Sequence, residues 1–301
     1  MRDQIEAFLA SLREEKGYSN NTIVAYRNDL GQFADYLSNG AAILGWAQVG
    51  NEHLDGYVGN LRNEHQYASA TVARKVAAAK SFFRYLVTQG TIRQDPSANL
   101  DSPKVRKYLP TAISESEVER LLRAPARVES MRGQRDCALL ELLYATGMRV
   151  SEVVALDVCD VDLATGAVHC ATKSGKHRER LIPIYRRAEE ALRAYLSKGR
   201  ALLLKGEDEP ALFLNHRGKR LTRQGLWLII KRYVEEAGIE AAVTPHTLRH
   251  SFATHLLHGG ADVREVQGLL GHANISTTQV YTHLNQDRLR EVYDDSHPMA
   301  E

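Results

Sequence analysis

Over the first ninety residues, apolar side chains recur every three or four positions, and that period admits helices and little else. Ile5, Phe8, Leu9 and Leu12 form one stripe. Ile23, Tyr26, Leu30, Phe33 and Leu37 form a second, behind "SNNT", where Ser19 or an Asn can cap. Leu54, Tyr57, Val58 and Leu61 form a third, and Val72, Val76, Ala79, Phe83 and Leu86 a fourth that Gly90 ends. Each stripe buries only one face, so the four must pack on one another as a small helical bundle.

The texture then changes. "DPSANLDSPKVRKYLP", from Asp95 to Pro110, carries three prolines, small polar residues and the cations Lys104, Arg106 and Lys107. It reads as an interdomain linker, which gives a bundle over 1–90, a linker over 91–110 and a second domain from 111 to about 294. A chain of 301 residues accommodates two domains. The second opens with capping-box spacing at Ser114 and Glu117, followed by a mostly buried helix, "RDCALLELLYATG", closed by Gly147. "GAVHCAT" and "ERLIPI" are short and β-prone about a charged turn, so they predict a hairpin. Helices are expected again at 186–198, 222–237, 247–258 and 262–270. No internal repeat is present.

Several classes are disfavoured. The opening segment carries acids among its apolar residues, unlike a signal peptide, and no apolar run reaches the roughly 18 residues of a membrane span. Cys137, Cys159 and Cys170 are odd in number and lack C-x-x-C spacing, so reduced thiols in a cytoplasmic protein are expected. The net charge of +2 says little, but its distribution says more. Residues 173–187 hold six Lys or Arg against Glu179, and residues 216–232 hold six against no acid. One such run is ordinarily a solvated face. Two of them point to a polyanionic partner.

The C-terminal quarter concentrates the chemistry. "TPHTLRHSFATH" sets His246, Arg249, His250 and His255 close together, and His272 and Tyr281 follow. His246 and His250 are spaced like a helical zinc pair, but "TLR" between them supplies an arginine where a general-base Glu is needed. A phosphate site makes better use of these residues. Guanidinium groups match phosphoryl oxygens with paired hydrogen bonds and keep their charge. Arg249 and Arg149, the latter in "ATGMRVSE", form a candidate clamp. Taken alone, Arg149 reads as a surface salt bridge to Glu152. Tyr281 is a candidate nucleophile that would need a base or nearby cations, since a free phenol titrates near 10. Lys173 is a candidate general acid, and His246 and His272 candidate hydrogen-bond donors.

With these residues in place, the chain resembles the tyrosine recombinase (phage integrase) family, and within it the bacterial Xer recombinases. "ATGMRVSEVVAL" resembles the family's first-arginine motif, "PHTLRHSFATHLL" its H-x-x-R-H motif and "VQGLLGHANISTTQVYTH" its L-G-H and tyrosine motif. "SPKVRKYLP", "ALFLNHRGKR" and "VYDDSHP" are more similar to the XerC group than to the XerD group. The resemblance implies a mainly α fold with a small β-hairpin or sheet: an N-terminal SAM-like core-binding bundle and an α+β catalytic domain. It implies Arg149, Lys173, His246, Arg249, His272 and Tyr281 as catalytic residues, with Tyr281 the nucleophile, Glu152 orienting, and His250 and His255 structural. The hairpin runs "TKSGKHRERLIP", about two residues longer than the Xer pattern, so Lys176 stays open beside Lys173. It further implies a double-stranded DNA recombination site, a second Xer-type recombinase in a heterotetramer and a septal DNA translocase as partners. Neither metal nor other cofactor is expected. The implied task is the resolution of chromosome dimers. A phage or transposon integrase and a non-catalytic DNA-binding protein are the rival readings.

Overall fold

The four amphipathic stripes become four helices in a computed structural model that describes residues 1–15, 17–40, 42–101, 112–127, 130–170, 179–206, 209–271 and 286–300. The chain divides into two compact units, Met1–Tyr108 and Leu109–Glu301. In the first, α1 (Arg2–Glu14), α2 (Asn20–Gly40), α3 (Asn51–Asn63) and α4 (Ser69–Thr88) share one apolar core. Ser19 Oγ accepts from the Thr22 amide at the start of α2, at 3.2 Å. Phe33 sits at the centre, its ring 4.7 Å from Tyr57, 5.9 Å from Trp46 and 6.0 Å from Phe83. Asp29 is buried but not alone. Lys75 donates to it at 2.9 Å and Arg74 pairs with it as well, which offsets the desolvation of the carboxylate. The core does not stop at α4, because Ile92 and Leu100 are buried in it. Residues 102–111, with Lys104, Arg106 and Lys107, lie outside the described residues.

The second unit begins with α5 (Glu115–Arg123), capped as its sequence predicts. The Glu117 amide donates to Ser114 Oγ at 3.3 Å, and the Ser114 amide to the Glu117 carboxylate at 2.8 Å. Helix α6 (Met131–Thr146) is buried along most of its length, which its run of Leu and Ala requires. It packs against α5, α8 (Arg186–Ala194) and α11 (Pro245–His258). Between α6 and α8 lie the short α7 (Val150–Val153) and a sheet. The remaining helices are α9 (Arg200–Leu203), α10 (Arg223–Glu236), α12 (Val263–Leu270) and α13 (Gln286–Ser296).

Three of the differences from the sequence expectation concern the sheet, α8 and α11. The expected hairpin, β2 (Ala167–Cys170) and β3 (Arg180–Pro183), forms with Cys170 opposite Arg180, but a third strand, β1 (Val161–Asp162), pairs with β2. A two-residue strand is too short to show alternation. The helix expected at 186–198 is α8, followed by a π-helical turn at Tyr195–Gly199 and then α9. Tyr195 is fully buried there and accepts from the Leu214 amide at 3.2 Å. Helix α11 begins at Pro245, with Thr244 as cap, two residues ahead of the expected start.

Candidate active site

Five elements of the second unit, α6, α7, β3, α11 and α12, meet at one place. Helix α6 stops because Gly147 takes a left-handed conformation, φ +55°. A Cβ on this residue would lie 2.4 Å from the Phe252 ring, so only glycine fits. The chain then turns into α7, whose N-cap is Arg149. The Arg149 amide donates to Glu152 Oε2 at 2.8 Å, and its guanidinium to Glu152 Oε1 at 3.0 Å. The pairing that reads as a surface salt bridge in the sequence therefore exists, but Glu152 is buried, with 5% of its side chain exposed.

On α11, His246 lies in the first turn and is exposed, and Arg249 follows one turn later. Arg249 donates to the Gly147 carbonyl at 2.6 Å and to the Leu270 carbonyl at 2.8 Å. Arg149 donates to the Gly271 carbonyl at 3.2 Å. From β3, Arg180 donates to the Leu269 carbonyl at 2.9 Å. Three consecutive carbonyls at the end of α12 thus each receive a different arginine. A helix C-terminus exposes unpaired carbonyls and the negative end of the helix dipole, which suits cations.

Arg180 also closes on Glu152, at 2.9 Å to Oε2 and 3.3 Å to Oε1. Burial pushes the Glu152 carboxyl up, but the hydrogen bonds and charge of Arg180, with those of Arg149, outweigh it and hold the group below the usual carboxylate value. Arg249 is pushed down to about 10, by burial first and by the neighbouring charge of Arg149 second. It remains a cation at neutral pH. Each guanidinium has five N–H donors, so the two hydrogen bonds that Arg249 makes leave others for an anionic ligand. Preorganised cations of this kind stabilise charge that develops on phosphoryl oxygens.

Of the residues singled out in the sequence, the fold brings Arg149, Glu152 and Arg249 together. His246 shares α11 with Arg249. Lys173, Lys176, His272 and Tyr281 lie outside the described residues. His255 is buried, its Nδ1 2.8 Å from the Tyr144 hydroxyl, and His250 is partly buried. Arg180 was not a candidate. It belongs to a run of six cations that, with the second such run, points to a polyanionic partner, and its place opposite the buried Cys170 is what separates it from the rest. Part of the second basic run is likewise committed within the protein, since Arg220 donates to the Val154 and Leu156 carbonyls and pairs with Asp157. Among the described residues, no three His, Cys, Asp or Glu side chains converge as a metal site, and no helix is long and apolar enough to cross a membrane.

Known proteins are similar to this chain over nearly its whole length. The phage integrase family matches residues 111–288, and the phage integrase N-terminal SAM-like domain matches residues 5–90. The chain belongs to the phage integrase family. Tyrosine recombinase XerC of Herpetosiphon aurantiacus is 52% identical over 96% of this chain and 92% of its own. Tyrosine recombinase XerD of Oceanobacillus iheyensis is 43% identical over 98% of both. The crystal structure of XerH site-specific recombinase bound to its difH substrate, a pre-cleavage complex, superposes with a TM-score of 0.66 at 26% identity, covering 97% of this chain and 83% of that one. This Xer-type tyrosine recombinase is therefore a DNA breaking and rejoining enzyme of the site-specific class, mainly helical with a small sheet, its SAM-like domain preceding the catalytic one.

Proposed function

We propose that this recombinase exchanges DNA strands at a specific duplex site through a phosphotyrosine ester on Tyr281, with Arg149 and Arg249 holding the scissile phosphate. The observation that carries this reading is the convergence of the two guanidinium groups on the Leu270 and Gly271 carbonyls, directly ahead of the segment that bears His272 and Tyr281. The Tyr281 oxygen attacks phosphorus as its proton passes to a base, and a Tyr–O–P bond forms. The bond from phosphorus to the 5′-oxygen breaks, and Lys173 protonates that oxygen. His246 and His272 donate hydrogen bonds to the phosphoryl oxygens or take up the phenolic proton. The 5′-hydroxyl of a partner duplex then reverses the sequence and releases Tyr281. One phosphodiester replaces another, so the exchange needs neither nucleotide hydrolysis nor a metal.

The protein works in the cytoplasm, with a second Xer-type recombinase on paired sites, to resolve chromosome dimers. The higher identity to XerC than to XerD supports a role on the XerC side of such a pair. The test is a duplex nicked just 3′ of the cleavage site, from which the short product escapes so that the covalent complex accumulates. The enzyme should become linked to DNA, and Tyr281→Phe should bind the duplex without linkage. Linkage that persists in Tyr281→Phe would overturn the proposal.

A further inference from the structure

We infer that Arg180 is a positioning residue for both clamp arginines. This rests on the reading of Arg149 and Arg249 as the phosphate clamp. Arg180 is nearly enclosed, with 9% of its side chain exposed, and its described hydrogen bonds end on Glu152, which fixes Arg149, and on Leu269, the neighbour of a residue that fixes Arg249. Glu152 accepts from the backbone amide and the guanidinium of Arg149, and Arg180 grips both of its oxygens. Leu269 directly precedes Leu270, whose carbonyl holds Arg249. One planar fork therefore ties the carboxylate that orients Arg149 to the helix end that orients Arg249.

The backbone makes room for this. Gly271 has φ +63°, and a Cβ there would lie 2.8 Å from Arg180 Nη1. The chain passes as close to the guanidinium as glycine allows. An ordinary buried ion pair needs no such approach, and it need not reach a carbonyl on a third element. A lysine in the same place would keep the charge but lacks the planar fork, so it could not chelate Glu152 and reach Leu269 together.

The experiment uses the full-length protein with Arg180→Ala, Arg180→Lys and, in parallel, Arg149→Ala. Single-turnover covalent capture is measured on a nicked duplex and on the same duplex with a methylphosphonate at the scissile position. That group lacks one anionic oxygen and so depends less on cationic donors. We expect both Arg180 variants to lose cleavage on the normal phosphate by on the order of 10²-fold, the scale of a small misplacement of catalytic groups. Duplex affinity should hold within about threefold, because many other phosphate contacts supply it. On the methylphosphonate, Arg180→Lys should recover relative to wild type, as Arg149→Ala does. If Arg180→Ala folds poorly, Arg180→Lys keeps the buried charge and carries the test. Recovery by Arg149→Ala but not by Arg180→Lys, or full cleavage by Arg180→Lys, overturns the positioning role alone. If Arg149→Ala does not recover, the clamp reading fails, and this role with it.

Discussion

Arg149 and Arg249 donate to the carbonyls of adjacent residues, Gly271 at 3.2 Å and Leu270 at 2.8 Å, although one caps α7 and the other lies within α11. The end of α12 thus acts as a template that holds two like charges side by side. Arg249 feels the cost, since burial and the charge of Arg149 lower its affinity for a proton. An anion between them would relieve that repulsion. We predict that Arg249→Lys, which loses the planar fork whose two nitrogens serve the Gly147 and Leu270 carbonyls, cuts covalent capture by about 10²–10³-fold. Single-turnover cleavage at saturating enzyme would show it, with duplex affinity measured alongside. A loss confined to affinity would contradict the clamp.

Gly271→Ala tests the same template from the backbone. Its left-handed conformation disfavours any side chain by roughly 1–2 kcal/mol, and the new methyl would also press on the Arg180 guanidinium. We expect the denaturation midpoint to fall and cleavage to fall at temperatures well below the transition. Unchanged cleavage would mean that the α12 terminus does not set the arginines.

What the sequence revealed divides along physical lines. Features with a local cause were legible: the stripe of Ile5, Phe8, Leu9 and Leu12, the Ser114–Glu117 cap and the Gly147 stop each follow from neighbours along the chain. Helix α13 carries no clear apolar stripe, because "QDRLREVYDD" is mostly charged, and Val292 and Tyr293 anchor it. Strand β1 gave no periodic signal at two residues. Arg149 and Arg249 are legible as a pair through their chemistry, but the relation of Arg149 to Gly271 depends on tertiary contact across 122 residues of chain, and that of Arg249 to Leu270 on the next helix turning back. Arg180 was hidden for a related reason. Composition marks a cation as surface, and only the fold shows that Glu152 waits for it.

Acid stability should report on His297. Its ring stacks on Tyr293 at 4.8 Å and lies 4.9 Å from Tyr185, 5.1 Å from Tyr144 and 5.7 Å from Phe252, while its Nδ1 accepts from the Met299 amide. Burial pushes this imidazole down to about 3, so it stays neutral in the folded protein while the unfolded chain takes up a proton below about 6.5. The unfolded state then binds more protons. Stability is full above pH 6.5 and falls as the pH drops toward 3, by up to about 1.4 kcal/mol per unit. His255, lowered chiefly by burial, adds to the same slope. Denaturation midpoints from pH 7 to pH 5 should decline less steeply in His297→Phe than in wild type. Equal slopes would contradict this.

The general acid can be assigned by changing the leaving group. A 5′-bridging sulfur leaves without protonation, so it relieves only a variant that lacks the proton donor. We predict that Lys173→Ala cleaves the normal duplex poorly and recovers on the sulfur substrate, whereas Lys176→Ala shows no such selective recovery. The reverse pattern would move the role to Lys176.

The most direct measurement is the chemical identity of the protein–DNA bond. The covalent complex trapped on a nicked duplex can be digested with protease and nuclease and sequenced by mass spectrometry. The account predicts a single adduct on the peptide that carries Tyr281, joined through its phenolic oxygen to a 3′-phosphate. Attachment at another residue, or to a 5′-phosphate, would contradict it.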